Sequence, residues 1–105
     1  MTRDVTIKLI TPVMVDDVYG IPQPSDPEKV EVMARVGSVT ASEFFDGGRN
    51  GLRPEFVFKM FLYDYDGQKI VEYNGRQYEI YRTYMAKNDT IELYVHQTGG
   101  ANNGQ

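Results

Sequence analysis

The chain has 105 residues, no cysteine, and 11 Lys and Arg against 15 Asp and Glu, for a net charge of −4. That length fits one domain, large enough for a core without staples but not for a core and a deep pocket together. The missing cysteine excludes disulfides, thiol nucleophiles and thiolate metal sites, and the acidic balance with singly scattered cations argues against a sequence-reading DNA or RNA binder, which carries a basic patch or stripe.

The lack of disulfides suits a protein made in a cytosol. No apolar run approaches the roughly 20 residues that cross a bilayer, and MTRDVTIKLI lacks the h-region of a signal peptide.

Residues 4–11, DVTIKLIT, alternate: Val5, Ile7 and Leu9 share one face, and Asp4, Thr6 and Lys8 share the other. Period-two alternation predicts a half-buried strand. Pro12 is expected to end it or to mark an edge, since proline cannot donate to a ladder. Residues 16–27, DDVYGIPQPSDP, hold Gly20 and prolines at 22, 24 and 27. They read as a solvent-facing arm between strands, in which helix is excluded and pairing discouraged. Residues 28–39 predict a second strand. Val30, Val32, Ala34 and Val36 form its inner face, with Glu31, Met33 and Arg35 outside.

Ser38 to Pro54, SVTASEFFDGGRNGLRP, is the unusual stretch. Connections of about 4–6 residues are the norm in compact domains, and longer ones are working parts or disordered. An adjacent aromatic pair, Phe44-Phe45, argues against plain disorder. Thr40 or Ser42 suits a helix cap, with Glu43 at the capping-box offset from Thr40. One or two helical turns are expected around residues 41–46, stopped by Gly47-Gly48. Adjacent residues on a helix point about 100° apart, so both phenylalanines cannot face one core. One of them is then free for a neighbouring subunit.

Residues 55–65, EFVFKMFLYDY, predict a third strand that is apolar on both faces. Phe56, Phe58, Met60 and Leu62 form one face, and Val57, Phe61 and Tyr63 the other. Such a strand is central in a closed barrel or covered by another subunit. Asp66-Gly67 makes a turn. Residues 69–73 form a short fourth strand, and Asn74-Gly75 is a type I′ hairpin signal. Residues 76–86 form the fifth strand, with Tyr78, Ile80, Arg82 and Tyr84 on one side. Lys87-Asn88-Asp89 is a turn, and residues 90–97 form the sixth strand with Ile91, Leu93 and Val95 inward. Residues 98–105 lack apolar content and read as a flexible tail. The expected fold is therefore all-β: one small antiparallel barrel of about six strands over 1–97, with one long inserted loop, 38–54, containing a short helix. Closure removes exposed edges.

Three features invite chemistry. Asp64-Tyr65-Asp66-Gly67 looks like the opening of a calcium loop, but the twelfth position is Gly75 instead of glutamate. It reads as a hairpin turn. His96 is the only histidine, on the outward face with Glu92 and Tyr94, and has no nucleophile in sequence reach. It reads as a surface residue. Tyr63, Tyr65, Tyr73, Tyr78, Tyr81, Tyr84 and Tyr94 alternate with polar residues along successive strands. Stacked aromatics on a sheet bind single-stranded nucleic acid, but they also serve as cross-strand and interface packing. The second is the preferred reading without basic companions. No catalytic, cofactor-binding or metal-ligating residue is assigned.

In order along the chain stand IKLI, RVGSVTASEFF, GLRPEFVFK, DYDG, EYNGRQYEIYRTY and IELYV. This series, over residues 4–97, resembles the head closure or head–tail joining (adaptor, stopper) proteins of long-tailed phages and Gram-positive prophages. The resemblance implies a structural virion protein at the head–tail junction, assembled in the host cytoplasm. It implies self-association into a ring beneath the portal and adaptor proteins, with a lower face that receives tail-terminator or tail proteins. Packaged DNA would lie nearby in the channel without sequence-specific binding, and no membrane is involved. Carried onto this chain, the interface loop comprises Ser42, Glu43, Phe44, Phe45, Arg49, Leu52 and Arg53.

Overall fold

A computed structural model of the protein describes residues 3–40, 42, 48 and 54–97. Six strands run β1 (Arg3–Asp16), β2 (Pro22–Ser38), β3 (Pro54–Phe61), β4 (Ile70–Tyr73), β5 (Arg76–Ala86) and β6 (Thr90–Gln97). They close into a barrel in the order β1-β2-β3-β6-β5-β4, with every neighbouring pair antiparallel. The expected all-β barrel of six strands is therefore present.

The alternation that predicted each strand also fills the barrel. β1 contributes Ile7 and Leu9, and β2 contributes Val32, Ala34 and Val36. Phe58 and Met60 come from β3, Val71 and Tyr73 from β4, Tyr78 and Ile80 from β5, and Ile91, Leu93 and Val95 from β6. β4 supplies only four residues to the wall. The connection before it compensates: Leu62 and Tyr65 pack against the same core. Asn74 and Gly75 both have positive φ, 53° and 77°, as a type I′ turn requires. Asn88 and Asp89 turn the chain between β5 and β6 in the same region of φ.

Residues 16–27 depart from the expected unpaired arm. β1 does not stop at Pro12; it runs on to Asp16, and β2 begins at Pro22. Val13 to Asp16 pair with Ser25 to Pro22 in a two-stranded ribbon. A register shift between Thr11 and Val13 takes up Pro12, Asp26 and Pro27. A bulge is where a ladder tolerates a missing donor. The four-residue turn at the tip is built by Asp17, whose Oδ1 accepts the N–H groups of Tyr19 (2.8 Å) and Ile21 (3.0 Å). Gly20 sits at φ 78°, a conformation that favours glycine.

Val30 is also misplaced by simple alternation. It lies opposite Leu9 but is exposed, because β3 pairs with β2 only from Ala34 onward. β3 ends at Phe61, not at residue 65, and Leu62–Asp64 form a 3-10 turn tied by the Leu62 N–H to the Asp89 carbonyl at 2.7 Å. Of the outer trio expected on that strand, Val57 is buried while Phe61 and Tyr63 are exposed. On β5 a register shift between Ile80 and Arg82 reverses the faces. Tyr78 and Ile80 point inward, but Arg82 and Tyr84 fall opposite Tyr94 and Glu92 on the outside.

Candidate functional site

β2 organises the surfaces available for function. It begins in the ribbon, forms the barrel wall over its second half, and ends at Ser38, where the connection 39–53 leaves. The ribbon and that connection therefore depart from opposite ends of one strand. Of the seven residues assigned to the interface loop, the structure describes Ser42, which is helical and exposed. Glu43, Phe44, Phe45, Arg49, Leu52 and Arg53 lie outside the described residues, as do residues 98–105. Gly48 is itself helical and exposed, so it is not the stop that its residue type suggests.

The barrel end beside that connection is closed by an aromatic cluster. Phe56 meets Tyr73 and Tyr78 edge-on, with ring centroids at 5.5 and 5.6 Å, and Phe58 meets Tyr73 at 5.2 Å. Such geometry places the positive edge of one ring against the negative face of the next. Polar rims satisfy the phenols: Arg3 donates to the Tyr73 hydroxyl at 3.1 Å, and Glu55 accepts from Tyr78 and from Gln97. Burial pushes the Tyr78 phenol above its ordinary value; the Glu55 carboxylate adds to this and Arg76 opposes it. Burial alone pushes Tyr65 up as well, and its hydroxyl donates to the Gln68 carbonyl at 2.7 Å. Phe56, which the sequence reading placed on the inner face without a special role, is the centre of this cluster.

The tyrosines do not form one platform. Tyr73 and Tyr78 are buried, Tyr63 and Tyr84 exposed, and Tyr81 and Tyr94 half-buried outside the barrel. The Arg82 guanidinium stacks 3.7 Å from the Tyr94 ring centroid, and the Tyr94 hydroxyl donates to Glu92 at 2.7 Å. His96 lies on this outer face, as its alternation requires. It is less free than a surface residue: its side chain is 12% exposed, its Nε2 is 2.8 Å from Glu79 Oε1, and Tyr81 packs against its ring. No hydroxyl or thiol nucleophile is hydrogen-bonded to it among the described contacts. At the calcium-like motif, Gly67 has φ 78° and the Asp66 N–H donates to the Gln68 side chain. This is turn chemistry, and among the described residues no three His, Asp or Glu side chains converge on a metal position.

Two exposed apolar regions were not singled out in the sequence. The ribbon bares Met14, Val15, Val18, Tyr19 and Ile21, with Val18 91% and Tyr19 83% exposed. On the barrel wall an open groove is lined by Asp4, Met33, Arg35, Lys59, Phe61 and Thr90. Met33 and Phe61 are 65% and 51% exposed. The signal for the groove was present but weak: Met33 stood on the polar face of β2, and Phe61 on the second apolar face of β3. Compared with known proteins, the chain matches no family model and no curated sequence.

Proposed function

We propose that the protein is a non-enzymatic virion assembly component that closes a DNA-filled capsid and offers the surface to which a tail attaches. The observation that carries this reading is the connection between β2 and β3. These strands are hydrogen-bonded antiparallel neighbours, which a hairpin joins in about 2–5 residues, yet the chain places 15 residues, 39–53, between them. A closed barrel has no need of such an insertion for its own wall. Together with the resemblance of residues 4–97 to head closure proteins, this supports a frame that presents a working segment. Its partners in this reading are portal or adaptor proteins above, tail-terminator or tail proteins below, and further copies of itself in a ring. The net negative charge suits a gate that lies beside DNA without gripping it.

The test is nuclease protection in a phage lacking the gene. Filled capsids that leak full-length DNA, and retain it when the protein is added back, support head closure. Retained DNA with failed tail attachment moves the role to the tail side. Normal virions sink both. Within this reading, Phe44→Ser or Phe45→Ser weakens assembly more than folding; equal losses would place the pair in the core. The rival function, binding of single-stranded nucleic acid on a tyrosine surface, has less support, because Tyr73 and Tyr78 are spent on the core.

A further inference from the structure

The ribbon of residues 11–28 has no structural reason to be apolar. Its strands pair with each other alone among the described residues, so its side chains face no wall. An exposed ribbon bearing Met14, Val15, Val18, Tyr19 and Ile21 carries a solubility cost that polar residues would avoid. Prolines at 12, 22, 24 and 27 remove N–H donors from its edges, which discourages growth by strand addition. Contact through side chains remains.

Charge identifies the kind of surface the ribbon fits. Asp16, Asp17, Asp26 and Glu28 lie in residues 11–28, and no Lys or Arg does. The rest of the chain holds 11 carboxylates and 11 cations, so the whole formal charge of −4 sits on this ribbon. The groove on the barrel wall is its complement. Met33 and Phe61 supply apolar area, and Arg35 and Lys59 supply positive charge. Asp4, the carboxylate in the groove, is held by Arg35 at 3.3 Å. The lining thus carries one positive charge in excess, Arg35 and Lys59 against Asp4; Lys59 makes no ion pair among the described residues, and Glu92 lies across the strand pair from it.

We propose that the ribbon of one copy docks in the Met33–Phe61 groove of a second copy. The contact is between molecules, because β1–β2 pairing continues from Arg3–Val36 to Asp16–Pro22 with a single bulge, and such a ribbon does not fold back onto its own wall. The two surfaces differ, so the contact is head-to-tail, and repetition yields a ring if the rotation closes and a filament if it does not. The inference names the surfaces for the self-association proposed above, yet it stands on the fold and charge pattern alone.

The cysteine-free chain permits a direct test with purified protein, separate from any phage experiment. Tyr19→Cys protein is mixed under mild oxidation with Phe61→Cys protein, and in parallel with Arg76→Cys protein as a control on the β4–β5 turn. Met33→Cys replaces Phe61→Cys should the latter fail to fold. The mixed disulfide to the groove is expected at least ten times faster than to the control. Adding Lys59→Glu to the groove partner removes the preference, and Asp16→Lys on the ribbon partner restores it. Equal rates to groove and control overturn the proposal. So does a dominant Tyr19→Cys homodimer, which would mean tip-to-tip pairing, and so does a preference indifferent to Lys59→Glu.

Discussion

The barrel and the ribbon are made of the same two strands and obey opposite rules. Up to Leu9 and from Val32 onward, β1 and β2 alternate, and each inward side chain meets a facing wall: Ile7 and Leu9 are at most 1% exposed, and Val32, Ala34 and Val36 at most 8%. Beyond them the strands keep their backbone ladder and lose their neighbours, so apolar residues such as Val30 and Met14 face water. Backbone pairing and core packing are thus separable. Hydrogen bonds shape the ribbon, and burial stabilises the barrel. A net hydrogen bond contributes about 1 kcal/mol, whereas a buried large side chain contributes about 1.5–3 kcal/mol. The barrel is therefore the stability unit, and the ribbon is a projecting part free to serve contact.

The sharpest way to break this contrast is to place a charge in each region. Ile91→Asp buries an unpaired carboxylate among Met60 and Leu93 and is expected to unfold the domain, since such burial costs several kcal/mol. Val18→Asp on the ribbon tip should leave the thermal transition unchanged. A cooperatively melting Ile91→Asp protein would show that the inward face is wrongly assigned. Truncation gives the next largest effect. Phe58→Ala is expected to cost about 3–5 kcal/mol in urea unfolding, and Tyr19→Ala less than about 0.5 kcal/mol.

Glycine turns sharpen the comparison at a smaller scale. Gly75 (φ 77°) closes the β4–β5 hairpin of the barrel and Gly20 (φ 78°) closes the ribbon, and neither has an atom within 4 Å of an added Cβ. Strain is then the sole cost, about 1–2 kcal/mol at each turn. Gly75→Ala should lower the global midpoint accordingly. Gly20→Ala should leave it alone and instead raise hydrogen exchange at Tyr19 and Ile21, whose amides the Asp17 turn protects.

The smallest effect is on pH. Burial raises the Tyr65 and Tyr78 phenols above 10.0, so the folded barrel holds them neutral where the unfolded chain ionises them. That contribution is complete below pH 10 and is lost as pH rises through the raised folded values. Melting temperature should fall in that alkaline range, and Tyr78→Phe should shrink the fall. An unaltered alkaline limb would contradict the burial of Tyr78.

Legibility followed the same division. Strands whose residues alternate against a wall were readable to within a few positions, as β4 to β6 show, and Asn74-Gly75 named its own turn. The ribbon was not, because four prolines and Gly20 suggest interruption wherever edge strands and bulges are not yet known. The loop candidates Phe44 and Phe45 stood out by composition. The groove at Met33, Lys59 and Phe61 did not, since its lining comes from β1, β2, β3 and β6 and becomes contiguous only through the register of their pairing.

Composition and alternation by themselves determined that this chain is all-β with six strands, a core of Ile, Leu, Val and Phe, and an unusually long connection after Ser38. Side chains two apart point the same way on any strand, so that information is local. Closure, the face reversal between Ile80 and Arg82, the extension of β1 and β2 into a paired ribbon, and the aromatic seal at Phe56 were decided only in three dimensions. Each depends on which residue lies opposite which, and register is a property of two strands that neither sequence segment holds alone.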